Sequence, residues 1–342
     1  MVEQIDRLDV YQNDSIKNLY FIDPDVRRML MKKIILVLIL MIFVFLGIMN
    51  FYGHKVSQAQ TQIAVLTYHH LDEKSSSVTI TPADFKKHIS ALKKAGYTFL
   101  TATELAAIIK QEEALPPKPL LITFDDGYLS NYTYAYPILK ELGLKGTIFV
   151  VTDEVGKTPG FLPHFTWEQG KEMVDSGVID IQSHSHESHY NFLLKNKEKP
   201  ALTNRLQPEG DKESLDQYEA RIRADLLQSK EMIEKNIGNE VVAIAYPYGA
   251  HSKAVRYLAQ DSGFQLGFIT KEGFNFLSED SFQWKRFNVF GEYAEEKVLA
   301  LVEGTVEKKP DRVSVPHKIM LGLKRIYLHV DQFTEYMMIS YI

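Results

Sequence analysis

No cysteine occurs in the 342 residues, which excludes disulfides, thiolate metal sites and cysteine nucleophiles. Such a chain suits export from a bacterium that does not rely on disulfides. No basic block interleaved with aromatics is found and the net charge is -5, which argues against a nucleic-acid partner. No Gly-x-Ser-x-Gly elbow is present, so the serine-nucleophile route lacks its signature. No internal repeat divides the chain. At 45% hydrophobic it can bury a sizeable core, and its length suits one large domain with appendages.

One long apolar run is present. Ile34–Met49 is almost unbroken and follows Arg27, Arg28, Lys32 and Lys33. Positive charge on that side predicts a cytoplasmic segment over 1–33, a membrane anchor over 34–52 and the remainder outside the cell. The alternative is a signal peptide cleaved after Ser57-Gln58-Ala59, which would give a secreted or surface protein. Residues 53–62 read as a polar linker, 63–305 as the globular domain, and the Lys/Pro-containing stretch after it opens a linker and truncated extension over 306–342.

Within the domain, short apolar runs alternate with helical periodicity. Strands are predicted over Ile63–Tyr68, Leu120–Phe124, Thr147–Val151, Val178–Gln182, Val241–Tyr246 and Leu266–Thr270. Helices are predicted around Phe85–Leu92, from a Thr103 cap to Lys110, over Pro137–Leu142, from a Thr166/Gln169 capping box to Asp175, over Leu215–Asn236, and over Lys253–Ser262. Residues 190–214 read as an irregular surface loop. This alternation predicts a parallel α/β barrel or open sheet.

Polar residues gather where the strands end. Leu120–Phe124 runs into Asp125-Asp126-Gly127; two adjacent carboxylates repel unless a metal takes one and leaves the other as a base. Val178–Gln182 runs into Ser183-His184-Ser185-His186-Glu187-Ser188-His189. Neutral imidazoles with one carboxylate make a divalent-metal set, for which Asp126, His184 and His189 are the candidates. Ala245-Tyr246-Pro247-Tyr248-Gly249 follows a third strand, and the Tyr248 N–H is a candidate oxyanion donor. The first strand ends in His69-His70.

These stretches, in this order, resemble the carbohydrate esterase family 4 polysaccharide deacetylases, whose first motif matches Thr123-Phe124-Asp125-Asp126-Gly127 residue for residue. The resemblance implies a distorted (β/α) barrel that removes N-acetyl groups from amino sugars with a divalent metal, zinc first and cobalt or nickel as alternatives. It implies Asp125 as general base, Asp126, His184 and His189 as metal ligands, and the Tyr248 backbone as oxyanion donor. The commonest pattern spaces the two histidines four apart and places arginine two before Pro-Tyr. Here the spacing is five and position 245 is alanine. Both departures look like the IcaB/PgaB-type branch that acts on poly-β-1,6-N-acetylglucosamine in biofilms, and in that branch His69 becomes the general-acid candidate. The likeness spans about 63–305, including the Tyr218–Ile233 helix and Lys285-Arg286-Phe287. The partners it implies are an N-acetylglucosamine polysaccharide and, through the N-terminal helix, a membrane. A peptidoglycan or chitin-oligomer deacetylase and a membrane-tethered glycan-binding pseudoenzyme are the alternatives. Tyr128, Trp167, Tyr190 and Trp284 are candidates for a sugar groove. His329 and Asp331 resemble the opening strand of a second domain found in two-domain relatives.

Overall fold

All six apolar runs singled out above form strands of one parallel sheet. The computed structural model describes residues 23–110, 114–207 and 211–305, so His329 and Asp331 lie outside the described residues. In chain order the strands are β1 (Ala64–Tyr68), β2 (His70–Leu71), β3 (Thr79–Ile80), β4 (Thr98–Leu100), β5 (Pro119–Phe124) and β6 (Gly146–Val150). They continue with β7 (Ile179–Ser183), β8 (Asn191–Leu194), β9 (Lys197–Pro200), β10 (Ala243–Ala245), β11 (Leu266–Phe268) and β12 (Phe287–Asn288). The helices are α1 (Pro24–Gln60), α2 (Pro82–Lys94), α3 (Ala102–Ile109), α4 (Tyr136–Leu142), α5 (Trp167–Asp175), α6 (Leu215–Asn236), α7 (Lys253–Asp261) and α8 (Glu295–Glu303).

The sheet runs β11-β10-β7-β6-β5-β1-β12, with β4 beside the first half of β5. It curls back on itself through one segment: Trp284 bridges Phe268 of β11, and Phe287, a few residues on, pairs with Leu66 of β1. This is the distorted barrel that the motifs implied. Helices cover its outer face, so β5 and β7 are buried along their whole lengths and tolerate no polar residue without a partner. Parallel pairing brings β1, β5, β7 and β10 to a common C-terminal edge, where folds of this class place their chemistry.

Three expectations need correction. The cap of α3 is Thr101, not Thr103: Thr101 makes a capping box with Glu104, while Thr103 gives its hydroxyl and N–H to the buried Asp180. The stretch 190–214 is not simply irregular. It contains the antiparallel hairpin β8–β9, turned by Lys195 and Asn196, both at positive φ as a two-residue hairpin turn requires. Trp284 is buried against Phe268 in the core and cannot line a groove.

The N-terminal run lies in α1, which Asp23 caps. Among the described residues it is the one helix long and apolar enough to cross a membrane, over Asp25–Met49. The polar stretch marked as a linker remains helical to Gln60, since Lys55, Gln58, Ala59 and Gln60 are all helix formers.

Candidate active site and metal centre

The Asp125-Asp126 pair sits at the mouth of β5, and the backbone separates the two side chains. Asp126 is at φ +75, left-handed and uncommon for a residue with a Cβ. That reversal sends the neighbouring carboxylates to different partners. Gly127, also at positive φ, completes the turn where a Cβ would meet Val150 Cγ1 at 3.0 Å.

Asp126 faces the histidine loop. Its Oδ1 is 3.5 Å from His184 Nε2 and 3.4 Å from His189 Nε2. His184 is held by the Ala245 carbonyl, which lies 2.7 Å from Nδ1, so Nδ1 carries the proton and Nε2 keeps its lone pair. Burial pushes the His184 pKa down to about 4, and the ring is neutral at physiological pH. His189 stacks on the Tyr248 ring with centroids 4.9 Å apart, and its carbonyl accepts the Tyr248 hydroxyl at 3.2 Å. Burial, with the Asp126 charge beside it, keeps the Tyr128 hydroxyl protonated. One carboxylate and two imidazoles thus offer ligand atoms all within 4.8 Å of one another, a donor set that suits a divalent ion such as zinc.

A second group, Asp153, His186 and Glu187, also brings ligand atoms within 4.8 Å. Its donors are already engaged or solvated. Asp153 pairs with Lys157 at 2.7 Å, His186 Nδ1 bonds Thr152 Oγ1 at 2.9 Å, and Glu187 is exposed.

Asp125 turns the other way, onto Arg286. The guanidinium meets both carboxylate oxygens, Nη1–Oδ1 at 2.6 Å and Nη2–Oδ2 at 2.7 Å, and Arg286 itself is 0% exposed. Burial alone would raise the Asp125 pKa. Arg286, with His184 and His69, outweighs it and holds the carboxyl well below the usual range. His69 is half-buried at the end of β1, and β1 pairs with β5 so that Tyr68 lies opposite Phe124. The next residues, His69 and Asp125, are therefore neighbours across the strand ends. Asn131 fixes the His69 backbone by donating to its carbonyl at 2.8 Å.

Tyr248 occupies a tight turn at φ +59, half-exposed. Gly249 makes that turn possible: it has φ +66, and a Cβ there would come 2.1 Å from Thr270 Oγ1. His70 sits apart from the ligand set, its ring edge-on to Tyr128 and its Nδ1 3.4 Å from Thr79 Oγ1.

All six site residues named from the sequence thus lie along one edge of the barrel. Arg286 was missed in its role. Its sequence signal was its place in Lys285-Arg286-Phe287, a charged pair set between Trp284 and Phe287. It supplies a guanidinium to the domain whose position 245, the usual arginine site, is alanine.

Residues 112–267 match the family model described as polysaccharide deacetylase. A Bacillus subtilis protein provisionally named a polysaccharide deacetylase is 30% identical over 217 residues, covering 64% of this chain and 67% of that one. The Staphylococcus epidermidis poly-β-1,6-N-acetyl-D-glucosamine N-deacetylase is 29% identical over 195 residues, covering 57% of this chain and 62% of its own length. The solved structure of IcaB from Ammonifex degensii superposes with a TM-score of 0.61 at 28% identity, over 71% of this chain and 97% of that one. Fold, strand-end motifs and relatives agree, and the chain belongs to the polysaccharide deacetylase family, as a hydrolase of that class.

Proposed function

We propose that the protein removes acetyl groups from a cell-surface N-acetylglucosamine polymer, poly-β-1,6-N-acetyl-D-glucosamine, at a divalent-metal centre held by Asp126, His184 and His189. The observation that carries this reading is the division of labour at β5. One carboxylate joins two imidazoles, while its neighbour is held by Arg286. When bound, a divalent ion supplies polarisation of the acetamide carbonyl and acidifies water, which eases the demand on a base as weak as Asp125.

The chain's own residues do the rest. Asp125 takes a proton from the attacking water, whose oxygen bonds to the acyl carbon. Arg286 keeps the carboxylate ionised and fixes its orientation. The Tyr248 N–H donates to the developing oxyanion. His69, in its protonated form, gives a proton to the amine as the C–N bond breaks, releasing acetate and a free amine on the sugar. No covalent intermediate is required. The tilt toward the β-1,6-linked polymer rests on the five-residue histidine spacing, the alanine at 245 and the name of the Staphylococcus relative. Zinc is the preferred ion. Residues 63–305 form the deacetylase domain, and α1 tethers it outside the cell membrane.

The test is to incubate the full-length protein, solubilised in detergent, with β-1,6- and β-1,4-linked N-acetylglucosamine oligomers and to quantify acetate. Release from the β-1,6 series is expected. Release from the β-1,4 series alone would move the reading to peptidoglycan or chitin oligomers, and none from either would favour a binding protein.

A further inference from the structure

The two candidate histidine ligands are five residues apart, and the span between them has no regular structure of its own to fix its shape. Ser185 lies at φ +74, an uncommon conformation for a residue with a side chain, and persists only where the surroundings over-determine it. The surroundings are a notch in α6. That helix buries Tyr218, Ile222, Leu226 and Ile233 on one face, and the same face carries two polar residues, Asp225 and Ser229, one turn apart.

Both reach the histidine loop. Asp225, 8% exposed, accepts the backbone N–H of His186 on Oδ1 at 3.2 Å and that of Glu187 on Oδ2 at 2.7 Å. Ser229 Oγ lies 2.5 Å from Ser183 Oγ, which in turn accepts the Ser185 N–H at 3.1 Å. The buried His186 N–H would otherwise lack a partner, and the carboxylate, holding it together with the part-buried Glu187 N–H, selects one loop conformer. Ordering this span before a ligand arrives removes an entropic cost from binding.

We infer that Asp225, assisted by Ser229, is a positioning residue for the metal centre: it holds the Ser185–Ser188 span so that His184 and His189 converge on Asp126. This rests on the reading that those three residues bind the metal. The contacts of Asp225 to the loop are with backbone N–H groups, so it acts through the loop backbone.

The experiment measures the zinc dissociation constant of the full-length protein by competition with a chromogenic chelator, alongside thermal melting of the metal-free form. Asp225→Asn keeps shape but presents an amide where one N–H needs an acceptor. It should weaken zinc binding roughly 10- to 100-fold, the range for residues that orient ligands. Asp225→Glu, which retains the carboxylate, should recover part of the affinity. Ser229→Ala should lose less, in the same direction, and serves if the Asp225 variants do not fold. Asp180→Asn is the control, an equally buried carboxylate that accepts the Thr103 N–H and hydroxyl near the start of α3. It should lower the melting temperature and leave zinc affinity unchanged. Unchanged affinity in the Asp225 and Ser229 variants, or an equal loss in Asp180→Asn, overturns the inference. Undiminished zinc binding in Asp126→Ala would instead remove the metal reading on which it stands.

Discussion

Arg286 holds Asp125 by both carboxylate oxygens, at 2.6 and 2.7 Å, in a buried pair. Removing one partner of such a pair strands a buried charge, which costs about 3–5 kcal/mol. Arg286→Met should therefore destabilise the fold as well as slow turnover. Arg286→Lys should recover little, because an ammonium cannot meet two oxygens in a plane.

The same pair sets a pH dependence. The folded Asp125 pKa is depressed, so its stabilisation is full above the unfolded carboxylate range and is lost as pH falls toward the lower folded value. In Arg286→Met burial loses its strongest opponent, so that pKa rises and neutral pH becomes the unfavourable end. The stability gap between the two proteins should be widest near pH 7 and should narrow as pH falls through the carboxylate range. Denaturant unfolding at several pH values reads this directly, and a gap that widens toward acid would contradict it.

Asp126→Ala or His184→Ala should lose bound metal and turnover together. Metal analysis of the purified variants beside acetate release is sufficient. Full activity in metal-free His184→Ala protein would remove the metal assignment.

Asp125→Asn keeps the side-chain shape and abolishes the base. Metal should still bind, while the rate per folded molecule falls by roughly 10²-fold or more, the usual scale for a general base. Melting should also fall, since Arg286 loses its counter-charge. If Asp125→Asn loses the metal and Asp126→Asn keeps it, the two carboxylate roles are exchanged.

His69→Ala should reduce kcat severely on acetamide substrates, because an amine leaves poorly without a proton. An activated acetate ester should suffer much less, since a phenolate leaves unaided. Metal content should not change, which separates an acid from a ligand. Both substrates should be measured in Ala variants of His69 and His329. Equal losses on ester and amide at His69, or a selective amide loss at His329, would move the acid role away from β1.

What the sequence by itself determined was local. The helix Leu215–Asn236 was legible from its periodicity, and Thr166 with Gln169 announced the start of α5, because caps and amphipathic faces are written within a few residues. The motifs Asp125-Asp126, His184 to His189 and Tyr248 were legible for the same reason: each is a short run at the end of one strand. The tertiary structure decided what joined them. Thr103 read as the cap of α3, but Asp180, far along the chain, claimed it, and Thr101 caps the helix instead. Arg286, just before β12, and Asp225, on α6, reach the site 161 and 38–39 residues from their partners in sequence. No local pattern encodes such a pairing. It arises because closing the sheet and docking α6 bury these charges, and a buried charge is stable only where the fold has already placed its partner.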